Sequence, residues 1–189
     1  MTDSNPSASP ADCKDQLLLF PELISRPITV DFSAGHVSSD GGGILLARLD
    51  RSYGYLNGFA ASFTDHRDPE LIEHSLLELL RQRVYGVALG YEDLNDHDRL
   101  CLDPLLASLC GKKDPLGQHR HRAQDKGKAL SGKSTLNRLE LTPAHADARA
   151  RYKKIVGDPE AIEDFFIARI RALARQKLDG GHAGSGCDG

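Results

Sequence analysis

The pairs Asp68-Pro69, Asp103-Pro104, Thr142-Pro143 and Asp158-Pro159 each set a capping side chain directly before a proline. This junction constrains the chain strongly. Proline fixes its own φ near the helical value and has no N–H to leave unpaired, so it suits the first helical position. The side-chain oxygen before it can take the free amides of the first turn. Each junction is followed by apolar residues, so each predicts a helix start. After Pro69, Ile72, Leu76, Leu79, Leu80 and Val84 recur at helical spacing as far as Gly90. After Pro104 comes a short helix stopped by Gly111, and after Pro143 a helix stopped by Gly157. After Pro159, Ile162, Phe165, Phe166, Arg169, Ile170 and Leu173 share one face.

The rest of the chain adds little regular structure. Ile28, Val30 and Phe32 alternate, which predicts a strand, and Gly35 can turn it into a second one through Val37. Ser39 or Asp40 is placed to cap a helix whose apolar face is Ile44, Leu45, Ala47 and Leu49. The predicted class is mainly α with a small N-terminal β element. With aromatics at 6% and no Trp, the core must be aliphatic. Residues 1–25 read as a disordered tail, 26–171 as the helical body, and 172–189 as a Gly-rich tail. No apolar run reaches membrane-spanning length and the first residues lack a signal-peptide pattern, so a cytoplasmic protein with no membrane partner is expected. Cys101 and Cys110 lie among leucines and read as reduced core thiols.

The net charge of −3 conceals two opposed segments. Between Ser62 and Gly111, ten acids face four bases; between Lys112 and Arg138, eight bases face two acids. The segment 112–133 has few apolar residues and reads as a long exposed loop. A basic stretch in an acidic chain is an electrostatic footprint for a polyanion. The candidate DNA contacts are Lys112, Lys113, Arg120, Arg122, Lys126, Lys128 and Lys133, with Asn137 and Arg138 placed for base edges. Neutralising about six phosphates would give a salt slope of roughly −5.

Other motifs compete with this reading. Gly127 to Thr135 contains the pattern G-x-x-x-x-G-K-[ST] of a phosphate loop. That loop works only between a buried strand and a helix. Here "HRAQDK" precedes it, with one apolar residue in six, so Lys133 is assigned to the basic stretch and Ser134 to a helix cap. The helix that follows presents Leu136 and Leu139 on one face. Asp65-His66-Arg67-Asp68 with His74, and Asn95-Asp96-His97-Asp98, hold oxygen and nitrogen donors without a compact ligand spacing.

Four stretches carry a resemblance: "DFSAGHVSSDGGGILLARLD", "FTDHRDPELIEHSLLELLRQRVYGVALGYEDLNDHDRLCLDPLL", "SGKSTLNRLE" and "GDPEAIEDFFIAR". Together, over roughly residues 26 to 171, they resemble the N-terminal part of DDE-type insertion-sequence transposases, the group called transposase DDE domain group 1. The resemblance implies DNA transposition. It implies a ribonuclease H-like catalytic domain in which three carboxylates hold magnesium to activate water or a DNA 3′-hydroxyl. In that family the first catalytic Asp lies on an apolar strand soon after the helix matching "DPEAIEDFFIARI". This sequence instead continues "RALARQKLDGGHAGSGCDG". The expectation is a truncated chain lacking most or all of the catalytic domain, with no catalytic residue, metal ligand or cofactor of its own. It would bind the DNA of insertion-sequence ends. The alternatives are a helical regulatory module, pairing with itself or with full-length transposase through the helices from Pro69 and Pro159, and a phosphate-loop nucleotide binder.

Overall fold

A computed structural model describes residues 40–180, with side chains to 175, and two short strands ahead of them. Those strands, β1 (Gln16–Leu17) and β2 (Thr29–Val30), pair antiparallel with Gln16 opposite Val30 and Leu17 opposite Thr29. They belong to a unit of residues 1–37, separate from the unit 38–189. Strand β2 falls on the predicted Ile28–Phe32 strand, while β1 lies inside the segment read as a tail. The remaining expectations for residues 1–15, for the turn at Gly35 and for residues 181–189 lie outside the described residues.

The larger unit opens with helix α1 (Gly43–Tyr53) and α2 (Tyr55–Ala60), then strand β3 (Phe63–Asp65). Gly42, not Ser39 or Asp40, caps α1, and no side chain caps its amides. Only part of its expected face is buried: Ile44 and Ala47 are inside, Leu45 and Leu49 outside.

Helix α3 (Leu76–Ala88) does not start at Asp68-Pro69 as predicted. That junction makes only a 3-10 turn, Pro69–Leu71, after which Ile72 is extended. The helix begins at a capping box. The Ser75 hydroxyl accepts from Glu78 N at 3.3 Å and the Glu78 carboxylate accepts from Ser75 N at 2.8 Å. Two amides satisfied reciprocally form a stronger start than one Asp. The intervening link is tied down where Arg67 donates to the His74 carbonyl at 2.9 Å.

Helices α4 (His97–Leu100) and α5 (Pro104–Cys110) follow, and Asp103 caps α5 as predicted, accepting from Leu106 N at 2.9 Å. Cys101 and Cys110 are free and buried, and burial pushes both thiols up. Helix α6 (Lys133–Glu140) is capped by Gly132, so Ser134 sits inside it rather than at its cap.

The junction Thr142-Pro143 makes no helix. The Thr142 hydroxyl donates backward to the Arg138 carbonyl instead of capping the amides ahead, and residues 141–154 form successive turns. Ile155–Gly157 becomes strand β4, antiparallel to β3, with Asp65 opposite Ile155 and Phe63 opposite Gly157. β-Branched Ile155 and Val156 suit a strand, and Ile155 is buried with Leu79, Leu80, Leu136 and Leu139 in the core joining α3, α6 and β4. Asp158 then opens α7 (Pro159–Gly180), as predicted, and the helix runs past position 172, where the Gly-rich tail was expected. The class is mainly α, and among the described residues each unit carries one small antiparallel β pair.

Candidate nucleic-acid interface

The loop 112–132 is less exposed than its composition predicts, because Ala129, Leu130 and Ser131 are buried. Leu130 N donates to the Cys101 carbonyl at 3.2 Å, and Ser131 is bonded to the buried Gln82 of α3. Midway, Gly117 adopts φ 63°, and a Cβ there would lie 2.7–2.8 Å from the backbone of Lys128 and Ala129. Only glycine allows the two limbs of the loop to approach this closely. Gly127 N closes the loop by donating to the Gly117 carbonyl at 2.9 Å.

Folding back in this way sets the basic loop against the acidic segment. Lys112 Nζ lies 2.8 Å from Glu78 and also donates to the Glu73 carbonyl at 2.9 Å. Arg120 pairs with Glu73 at 3.3 Å, Lys133 with Asp98 at 3.1 Å, and Lys128 more distantly with Asp125 at 3.9 Å. The hydrogen bonds and charge of Lys133 hold the Asp98 carboxyl below its ordinary range. Lys113, Arg122 and Lys126 stand exposed on the loop, and Asn137 and Arg138 stand exposed on α6. The nine sequence candidates thus divide into the largely buried, ion-paired Lys112 and Arg120, the exposed but ion-paired Lys128 and Lys133, and the exposed Lys113, Arg122, Lys126, Asn137 and Arg138.

Several of them meet in a cleft of about 890 Å³. Seven cations line it, Arg67, Lys112, Lys113, Arg120, Arg122, Arg138 and Lys154, against four carboxylates, Glu70, Glu73, Glu78 and Asp114. Lys126, Lys128, Lys133 and Asn137 do not line it. Arg67 and Lys154 were missed in the sequence. The first sits in the acidic segment, paired with Asp65 at 2.7 Å, and the second in residues read as helix. Burial opposes the charge on Asp65, but Arg67 outweighs it and holds that carboxyl below its usual value.

His74 forms part of the same wall and is 7% exposed. Its Nε2 accepts from Arg120 Nη1 at 3.2 Å, which puts the proton on Nδ1. Burial, reinforced by Lys112, Arg120 and Arg67, lowers its pKa to about 3, so the imidazole is neutral at pH 7. Among the described residues, His74 Nδ1 and Arg120 Nε are buried without a hydrogen-bond partner.

A second hollow, about 530 Å³, lies where α6 meets the 141–154 turns, lined by Leu94, Asn95, Lys133, Ser134, Asn137, Arg138, Tyr152 and Lys153. Exposed Tyr152 has the guanidinium of Arg138 at 5.1 Å and that of Arg151 at 5.0 Å from its ring centre.

A profile described as Transposase DDE domain group 1 matches residues 20–177. The chain belongs to this transposase family. No curated protein and no solved structure matches it. The transposase match spans both units, the basic loop, the cleft and most of α7.

The magnesium chemistry implied by the family needs converging carboxylates. Among the described residues, no group of three or more His, Cys, Asp or Glu side chains is placed to hold a metal ion. The two sequence clusters come apart in the fold. Asp65 pairs with Arg67, Asp68 accepts from Glu70 N at 3.1 Å, and Asp98 pairs with Lys133. His97 is buried beside Gln82, 3.2 Å from its Nε2. The described residues do not fit a three-carboxylate site. The phosphate-loop pattern also lacks its setting. A 3-10 turn, Ala123–Asp125, precedes α6 in place of a strand, and Lys133 Nζ is held by Asp98 and by Asn95 Oδ1 at 3.0 Å. No helix among the described residues is long and apolar enough to cross a membrane.

Proposed function

We propose that this transposase-family chain binds the sugar-phosphate backbone of insertion-sequence DNA through the cationic cleft and has no strand-transfer activity by itself. The observation carrying this reading is the convergence of Arg67, Arg122, Arg138 and Lys154, from three separate parts of the sequence, on one cleft. Cations gathered from distant positions onto one surface suit a polyanion better than a local charge run does. Arg122, Arg138 and Lys154 supply the phosphate contacts in the cleft, and exposed Lys126 one beside it. Lys112 and Arg120, whose side chains are largely buried, act from behind as ion-paired supports. The absence of strand transfer rests on the carboxylates of the described residues, no three of which converge, and on Asp65, Asp68 and Asp98, which serve as a helix cap or as partners of Arg and Lys. The test is fluorescence anisotropy with a labelled duplex and the double variant Arg122→Glu/Lys154→Glu. Removing two phosphate contacts and placing acids there is expected to weaken binding by at least tenfold. Unchanged affinity would rule out the cleft as the DNA surface.

A second reading, a module that pairs with itself or with a longer transposase, is favoured by α7. Phe166, Ile170 and Leu173 recur at helical spacing and each is more than half exposed. Sedimentation over a range of concentrations tests it: a monomer at every concentration excludes self-pairing.

A further inference from the structure

The hollow beside Tyr152 differs in kind from the cationic cleft. Phosphates need cations, yet this hollow also offers flat faces and a free amide. Tyr152 is 57% exposed, with the planar guanidinium of Arg138 5.1 Å and that of Arg151 5.0 Å from its ring centre. Leu94 provides an apolar wall, and Lys133 and Lys153 stand at the rim. The side-chain amide of Asn137 faces the hollow with no hydrogen-bond partner among the described residues. A volume of about 530 Å³ accommodates one nucleoside.

We infer that this hollow takes a single unpaired nucleobase, so that the chain grips DNA with an extruded or unpaired base more tightly than an intact duplex. A paired base has both faces covered by its neighbours in the stack and its Watson–Crick edge covered by its partner. An unpaired base offers a face to an aromatic ring or a guanidinium and an edge to an amide. Tyr152 and Arg138 supply the stacking surface, Asn137 the edge contact, and Lys133 and Lys153 charge for the flanking phosphates. Arg138 lines both this hollow and the cleft. A base seated here therefore continues a strand whose backbone follows the cleft. The inference rests on the DNA-binding reading of that cleft.

The experiment compares two duplexes of identical sequence, one fully paired and one with a single-base bulge, by anisotropy with the full chain. The chain is used as the wild type, Tyr152→Ala and Tyr152→Phe. Loss of one base stack corresponds to about tenfold in affinity. The wild type is expected to favour the bulged duplex by about that factor, Tyr152→Ala to lose the preference, and Tyr152→Phe, which keeps a ring, to retain it. Equal affinity of the wild type for both duplexes overturns the inference and leaves the cleft reading intact. So does a preference that persists in Tyr152→Ala or disappears in Tyr152→Phe. Binding to neither duplex overturns both.

Discussion

The side-chain amide of Gln82 holds Ser131 from both of its ends. Its Oε1 accepts from Ser131 N at 3.0 Å and from Ser131 Oγ at 2.8 Å, while its Nε2 donates to the Ser131 carbonyl at 2.7 Å. Both residues are nearly inaccessible to water. The end of the basic loop is thereby fixed to the central helix before α6 begins. Gln82→Ala would strand three polar groups of Ser131 in the core. With about 1–3 kcal/mol for each buried group left unpaired and partial relaxation, a loss of about 3–5 kcal/mol is expected. Ser131→Ala removes only the hydroxyl and is expected to cost about 1 kcal/mol. Urea unfolding of the two variants checks the order. A Gln82→Ala protein as stable as the wild type would contradict this role.

Asp50 performs a similar task at the other side of α3. It is buried, pairs with Arg81 at 2.9 Å, and accepts from Tyr85 Oη at 3.1 Å and Leu56 N at 2.7 Å. Burial first, and then this carboxylate, push the Tyr85 hydroxyl above its ordinary pKa. Removing one partner of a buried pair leaves an uncompensated charge, so Asp50→Ala is expected to destabilise by about 3–5 kcal/mol. Thermal and urea melts would show it. A loss below about 1 kcal/mol would mean that Arg81 finds water or another carboxylate.

Acid sensitivity follows from the two buried histidines. His74 titrates at about 3 in the fold against 6.5 ordinarily, and His97 is lowered in the same direction, chiefly by burial. A depressed histidine binds fewer protons folded than unfolded. Its contribution is therefore fully present above pH 6.5 and is lost as pH falls toward 3. From pH 7 to 5, His74 alone accounts for about 2 kcal/mol. Asp65 and Asp98, both held below their usual values, add losses of the same sign at lower pH. Stability measured by urea titration is expected to fall across pH 7 to 5. His74→Gln, which cannot protonate, should flatten that fall, and an equally steep profile in the variant would remove His74 as the cause.

Gly117 is the closure of the basic loop. Alanine there meets backbone at 2.7–2.8 Å with φ at 63°. An expected loss of about 1–3 kcal/mol combines overpacking with backbone strain. Amide exchange at Gly127, whose N–H is bonded to the Gly117 carbonyl, should accelerate in Gly117→Ala. Unchanged exchange would show that the limbs separate without cost.

The features legible in the sequence were the local ones. Asp103-Pro104 with Gly111, and Asp158-Pro159, act through neighbouring atoms, and both gave the helices they predict. Asp68-Pro69 was outcompeted by the Ser75–Glu78 box a few residues on, and Thr142 turned its hydroxyl to Arg138. The pairing of β3 with β4 joins Asp65 to Ile155 and has no local signal. The site divides along the same line. An excess of bases between Lys112 and Arg138 can be counted in the sequence. Its partial neutralisation by Glu73, Glu78 and Asp98, and the arrival of Arg67 and Lys154 in the cleft, depend on how distant segments fold together.

That partition of charge makes salt dependence the most direct test of the whole account. Six net charges along the sequence imply a slope of log K against log salt of roughly −5, whereas four cations in or beside the cleft, Arg122, Lys126, Arg138 and Lys154, imply roughly −4. Duplex affinity measured by anisotropy between about 50 and 200 mM salt should therefore fall by about two orders of magnitude. Affinity that does not change with salt would contradict DNA binding by this cleft.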